Sequence, residues 1–125
     1  MHPGLSDERW RALSIHEQLG NIGTEVARAA RAMAQANDER LSFALDRALE
    51  LFDFTLGDDR WRGPRRREIA RAREVVCDFL VGGNEYGSTA ASLDSYFLPY
   101  AVAARTTGSR PPVRSAAGAS RPRRT

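Results

Sequence analysis

Apolar residues recur along most of this chain at intervals of three and four, the spacing of one face of an α-helix. No run of Val, Ile, Thr or aromatic residues alternates with polar ones between turn residues, so strand signals are absent. Ser6-Asp7-Glu8-Arg9 predicts a short lead-in helix ending near Leu13. Ser14-Ile15-His16-Glu17 reads as a capping box, which starts the first long helix at Ile15 and carries it to about Ala36. Asn37 then serves as a left-handed C-cap or as the N-cap of the next helix. That next helix spans 38–56 and stops at Gly57. Pro64 suits the first position of a third helix, 64–81, closed by Gly82-Gly83. A fourth runs from Ser88 or Thr89 to about Arg105, with Pro99 inside it as an expected kink.

The stripes predict the core. At ~100° per residue, Ile15, Leu19, Ile22, Val26, Ala29 and Met33 form a large apolar face on the first long helix. A second stripe of small residues, Gly20, Gly23, Ala27, Ala30 and Ala34, lies beside it. An ordinary surface helix has one apolar face, so this helix should touch two or more neighbours, one of them closely. Leu41, Ala44, Leu45, Ala48, Phe52, Thr55 and Leu56 face inward on the next helix. Ile69, Ala72, Val76, Phe79 and Leu80 do so on the third, and Leu93, Tyr96, Phe97, Tyr100 and Ala104 on the fourth. The expected fold is all-α: an antiparallel up-down-up-down four-helix bundle over 14–105, preceded by a lead-in segment, 1–13. Residues 106–125, rich in Arg, Pro, Ser and Gly without periodicity, read as a disordered tail.

Charge changes this picture less than the totals suggest. The chain of 125 residues has 19 basic residues, all Arg, against 16 acids. Five of the arginines (Arg110, Arg114, Arg121, Arg123 and Arg124) lie in the acid-free tail, leaving residues 1–105 with a net charge of −2. The folded part is therefore near neutral, which lowers the expectation of nucleic-acid binding that a basic chain would otherwise raise. The opening residues show no secretory pattern, no apolar run approaches the ~20 residues of a membrane span, and Cys77 is the lone cysteine. The expectation is a cytoplasmic protein without membrane contact.

Arg60, Arg62, Arg65, Arg66 and Arg67 fall within eight residues, three of them in the first turn of the third helix. Cations are unfavourable there, and guanidiniums beside free helix N–H groups make a candidate anion or nucleic-acid site. The plainer reading is neutralisation by Glu50, Asp53, Asp58 and Asp59. Phe43 and Phe54 lie off the core stripe of the second helix, three turns apart with Arg47 and Glu50 between them, and mark a candidate oligomer interface. The Gly20–Gly23–Ala27 stripe is the alternative interface. Arg73, near the core edge, is expected to pair with Glu25.

Catalytic motifs are weak. Gly82-x-x-x-x-Gly87-Ser88-Thr89 imitates a phosphate-binding loop but lacks its Lys and follows a helix, not a strand. Arg11-x-x-x-x-His16 has the spacing of HEPN-type ribonucleases over six residues only, with Ala12 where that motif has a polar residue; His16 is read first as part of the capping turn. Two His and one Cys, far apart, make no metal set, and no cofactor is expected.

Residues 10–105 resemble a group of small, uncharacterised prokaryotic all-helical proteins. The resemblance is carried by Glu17-Gln18-Leu19-Gly20-Asn21-Ile22-Gly23-Thr24-Glu25-Val26, Arg47-Ala48-Leu49-Glu50-Leu51, Arg71-Ala72-Arg73-Glu74 and Asn84-Glu85-Tyr86-Gly87-Ser88-Thr89. It implies no activity. The layout, without any shared motif, is similar to the four-helix-bundle accessory proteins of diversity-generating reverse transcriptases, which implies oligomerisation and nucleic-acid binding. The sequence thus predicts a non-enzymatic, homo-oligomeric interaction module with a possible protein partner. A nucleic-acid accessory protein is the first alternative and a HEPN-like ribonuclease the second.

Overall fold

The computed structural model describes residues 7–108, and these are helical with no strand among them. Five α-helices follow in order: α1 (Asp7–Arg11), α2 (Ile15–Ala34), α3 (Asp38–Leu56), α4 (Pro64–Val81) and α5 (Ala90–Ala103). A 3₁₀ turn, Asp59–Trp61, joins α3 to α4, and a π-helical turn, Ala104–Gly108, extends α5. The tail from 109 onward lies outside the described residues.

Local chemistry sets the boundaries. The Ser14 side chain accepts from Glu17 N at 3.1 Å while Glu17 Oε1 accepts from Ser14 N at 2.9 Å, the reciprocal capping box that starts α2. Asn37 caps α3 through Oδ1, which accepts from Arg40 N. The left-handed residue between α2 and α3 is Ala36, with φ 54°, instead of Asn37. Thr89 and Ser92 form a second reciprocal cap at the start of α5, which continues through Pro99.

α2 is the centre of the molecule, packed along α3 on one side and α5 on the other, while α4 packs chiefly on α3. Its expected stripe is buried from Ile15 to Ala29, with Met33 at the edge. The stripe of small residues explains the second neighbour. A Cβ built on Gly23 would lie 2.6 Å from Phe97 Cβ, and one on Gly20 would lie 3.2 Å from Ala101 Cα. The two glycines let α5 approach at near-backbone distance, which offsets their low helix propensity. Phe97 then reaches the core and stacks edge-on to Phe52.

The buried apolar residues extend beyond the predicted stripes at three positions, of which Ala32 on α2 is the first. Leu51 is buried on α3, and Trp10, 2% exposed, brings α1 into the same cluster as α2–α5. The lead-in helix is therefore packed into the core.

Candidate functional site

A buried polar knot ties the start of α2 to the end of α3. Trp10 Nε1 donates to Thr55 Oγ1 at 2.8 Å. Gln18 Nε2 donates to the Trp10 carbonyl at 3.0 Å and to Asp58 Oδ2 at 3.3 Å, and Gln18 Oε1 accepts from Trp61 Nε1 at 2.9 Å. Arg60 closes the knot. Its Nη2 donates to Asp58 Oδ2 at 2.6 Å and to the carbonyls of Arg11 and Leu13 at 2.7 and 2.8 Å, while its Cζ sits 4.5 Å from the Trp61 ring centroid. Arg11 Nη2 in turn donates to the Gly57 carbonyl at 2.7 Å. Charge-assisted hydrogen bonds of this kind favour the ionised carboxylate. Chiefly through the Arg60 side chain, they hold Asp58 down to a pKa of about 2 despite its burial.

The five-arginine cluster is thus divided. Arg60 is occupied by Asp58 and two carbonyls. Arg62 and Arg65 make only long ion pairs, 3.9 Å to Asp59 and to Glu68. Arg66 and Arg67 are exposed on the first turn of α4 and have no ion-pair partner among the described residues.

Phe43 and Phe54 do not form one exposed face. Phe43 is 64% exposed, but Phe54 is half-buried against the core on the helix that α1 also covers. Arg47 turns inward: its Nη2 meets Glu25 Oε2 at 3.3 Å, and its Cζ lies 5.6 Å from the Phe43 ring centroid. Glu50 is half-buried. Glu25, whose side chain is 7% exposed, also receives Arg28 at 3.2 Å, yet its Oε1 and Arg47 Nε have no hydrogen-bond partner. The expected Arg73–Glu25 pair is not formed. Arg73 donates to Asp53 instead, at 3.1 Å, because α4 lies on α3 and the nearest acid along that seam is on α3.

Gly20 and Gly23 are covered by α5, and the exposed surface of the small-residue stripe is a groove of about 390 Å³ between the two helices. Thr24, Ala27, Ser95 and Leu98 help to line it. Leu98 is 57% and Val102 41% exposed. Across the gap between α4 and α5, Tyr96 and Tyr100 both donate to Glu68 Oε2, at 3.3 and 3.4 Å. Burial, reinforced by Tyr100 and Glu68, pushes the Tyr96 hydroxyl well above the ordinary tyrosine range.

The remaining motif residues make contacts within the chain. Arg11 is bound to Asp7 and Gly57, and the His16 ring faces Tyr100 at 6.1 Å between centroids. In the Gly82–Gly87 loop, Asp78 accepts from the backbone of Glu85 and Tyr86, and Asn84 holds Ser88. The loop's backbone donors therefore serve Asp78 and Asn84. No group of His, Cys, Asp or Glu suited to a metal ion occurs among the described residues, and no helix there is long and apolar enough to cross a membrane. No protein-family model, curated protein or solved structure matches the chain.

The knot joins residues distant in sequence, and only part of its signal lies in the residue pattern. Gln18 falls three residues after Ile15 and four before Ile22, squarely on the apolar stripe, where a polar side chain must find partners. Glu25 occupies the same kind of position between Ile22 and Ala29.

Proposed function

We infer that the protein is a non-enzymatic interaction module, a bundle of four antiparallel helices that pairs with a second copy of itself through the outer face of α5. The observation that carries this reading is the composition of α5. Asp94 is the only charged residue among its fourteen, yet the helix lies at the surface. Leu93 and Phe97 face the core while Leu98 and Val102 face outward, so α5 is apolar on both sides. Leu98 and Val102 make an exposed apolar patch on the outer side of the C-terminal half of α5, and a second chain would cover it.

The surface is also self-complementary in outline. Leu98 projects beside the groove that Thr24 and Ala27 line on α2, so a two-fold arrangement would place each copy's Leu98 over its partner's Thr24 and Ala27. This combines the small-residue stripe with a side chain on α5, and moves the interface away from Phe43, Arg47, Glu50 and Phe54. Antiparallel packing is supported where two contacts fix a direction: Gln18–Asp58 and Glu25–Arg47 for α2 along α3 and its following turn, and Gly20–Ala101 and Gly23–Phe97 for α2 along α5, one residue number rising as the other falls. A cytoplasmic setting is consistent with an unpaired Cys77.

The test is sedimentation equilibrium of the wild type and of Leu98→Asp with Val102→Asp. The wild type should sediment above 13.8 kDa and the double variant at 13.8 kDa with unchanged helicity. A wild type that stays monomeric at high micromolar concentration overturns the reading.

A second reading rests on a separate observation, the exposed and unpaired Arg66 and Arg67 beside the loosely held Arg62 and Arg65. Together with the basic tail, they support a nucleic-acid accessory role, read by the salt dependence of binding to a short duplex or single strand.

A further inference from the structure

Where α2 runs into α3, residues of the two helices line an open cleft of about 520 Å³. That volume lies within the range of small-molecule sites, roughly 300–1,000 Å³, and exceeds what a lone inorganic anion would fill. Arg28 and Arg31 line it from α2, Arg40 and Phe43 from α3, with Glu39 on the rim and the buried Glu25 among the lining residues.

The chemistry of these six residues is specific. Arg28 is already paired with Glu25, but Arg31 and Arg40 have no ion-pair partner among the described residues. Two free guanidiniums on facing helices match an oxyanion with several acceptor oxygens, above all a phosphoryl group. The Phe43 ring is 64% exposed beside them, an apolar plane that a flat ring would cover. Glu39 limits the negative charge that the rim tolerates and disfavours a polyphosphate.

From this juxtaposition we propose that the α2–α3 cleft is a binding site for a nucleoside monophosphate, with the phosphate on Arg31 and Arg40 and the base against Phe43. The site involves neither α5 nor the α4 arginines, so it stands independently of the self-association reading. The same group occurs free in solution and at the phosphorylated end of an oligonucleotide, and the two sources share the recognition chemistry.

The test is calorimetric titration of the full chain with the four common ribonucleoside monophosphates, inorganic phosphate, adenosine and a short 5′-phosphorylated oligonucleotide. Amide chemical shifts locate the bound species. At least one monophosphate should bind about tenfold or more tightly than either phosphate or adenosine, with shifts at Arg31, Arg40 and Phe43. Arg31→Gln with Arg40→Gln should weaken it about tenfold or more without changing the far-UV circular dichroism. Phe43→Ala should weaken the nucleotide and leave phosphate unaffected. An oligonucleotide that binds more tightly, with the same sensitivity to Arg31 and Arg40, assigns the cleft to nucleic-acid ends; a free nucleotide that binds at least as well assigns it to the metabolite. The proposal is overturned if no monophosphate binds at millimolar concentration, if binding survives the double arginine substitution, or if phosphate alone binds as tightly as the nucleotide.

Discussion

A side chain on Gly23 would begin 2.6 Å from the Cβ of Phe97, closer than two such atoms can sit. The contact is with the root of the Phe side chain, which cannot swing aside, so any substitution must lift α5 from α2. Alanine in place of a helical glycine gains about 1 kcal/mol in propensity, whereas overpacking a close seam costs about 1–3 kcal/mol. Gly23→Ala should therefore destabilise the fold by about 1 kcal/mol net, measured by urea unfolding. At Gly20 the nearest atom is Ala101 Cα at 3.2 Å, which needs only a few tenths of an ångström of give. Gly20→Ala should stay within about 0.5 kcal/mol of the wild type, the propensity gain offsetting the crowding. Equal effects at the two positions would mean that α5 does not seat on Gly23 as described.

Asp58 makes stability depend on acid pH. Its carboxyl falls from 3.8 to about 2 in the fold, so the folded state favours the charged form. Stability from this group is fully present above pH ~4 and is lost as pH falls from there through about 2, amounting to about 2 kcal/mol in all. Asp58→Asn should remove that part of the pH dependence between pH 4 and 2 while lowering stability at pH 7. Denaturant midpoints measured across that range, for both proteins, give the comparison. Parallel curves would show that the Arg60 contact does not hold the carboxylate.

The helices were legible because each carries both a periodic apolar face and its own end signals. Ser14 with Glu17, Asn37, Pro64 and Thr89 mark the starts of α2 to α5 in the sequence and in the fold. The doubled stripe of α2 foretold a close neighbour, and Gly23 against Phe97 is that contact. The arginine cluster was less legible, since proximity in sequence hides direction: Arg60 turns back to Asp58 and the α1–α2 carbonyls, while Arg66 and Arg67 point outward from the next helix. The cleft was not legible at all. Arg31 and Arg40 lie on different helices, and only the α2–α3 turn at Ala36 and Asn37 brings them to one opening.

Trp10 decides whether α1 is part of the fold. It is 2% exposed, packs in the common core, and donates its ring N–H to Thr55. Trp10→Ala should cost about 3–5 kcal/mol, the range for deleting a large buried aromatic. Trp10→Phe retains most of the apolar area but leaves Thr55 without its donor, and should cost about 1–2 kcal/mol. Urea unfolding followed by circular dichroism measures both. A loss below about 1 kcal/mol for the alanine variant would show that α1 is dispensable, as a detached lead-in would be.

Arg60 and the pair Arg66–Arg67 should separate stability from binding. Arg60 bonds a buried carboxylate and two backbone carbonyls, so Arg60→Ala leaves Asp58 with fewer donors inside the protein. Removing one partner of a fully buried pair costs about 3–5 kcal/mol, but this guanidinium is 43% exposed and partly screened, which brings the expectation nearer 2 kcal/mol. Arg66 and Arg67 hold nothing in place. Arg66→Glu with Arg67→Glu should change stability by less than about 0.5 kcal/mol, and the acids would suit the first turn of α4 better than the cations do. If the cluster binds nucleic acid, the double exchange should abolish that binding, and the affinity of the wild type should fall steeply with salt. Arg60→Ala, assayed below its melting temperature, should retain it. Loss of binding in the Arg60 variant alone would place the phosphate contact inside the knot and contradict its occupation by Asp58.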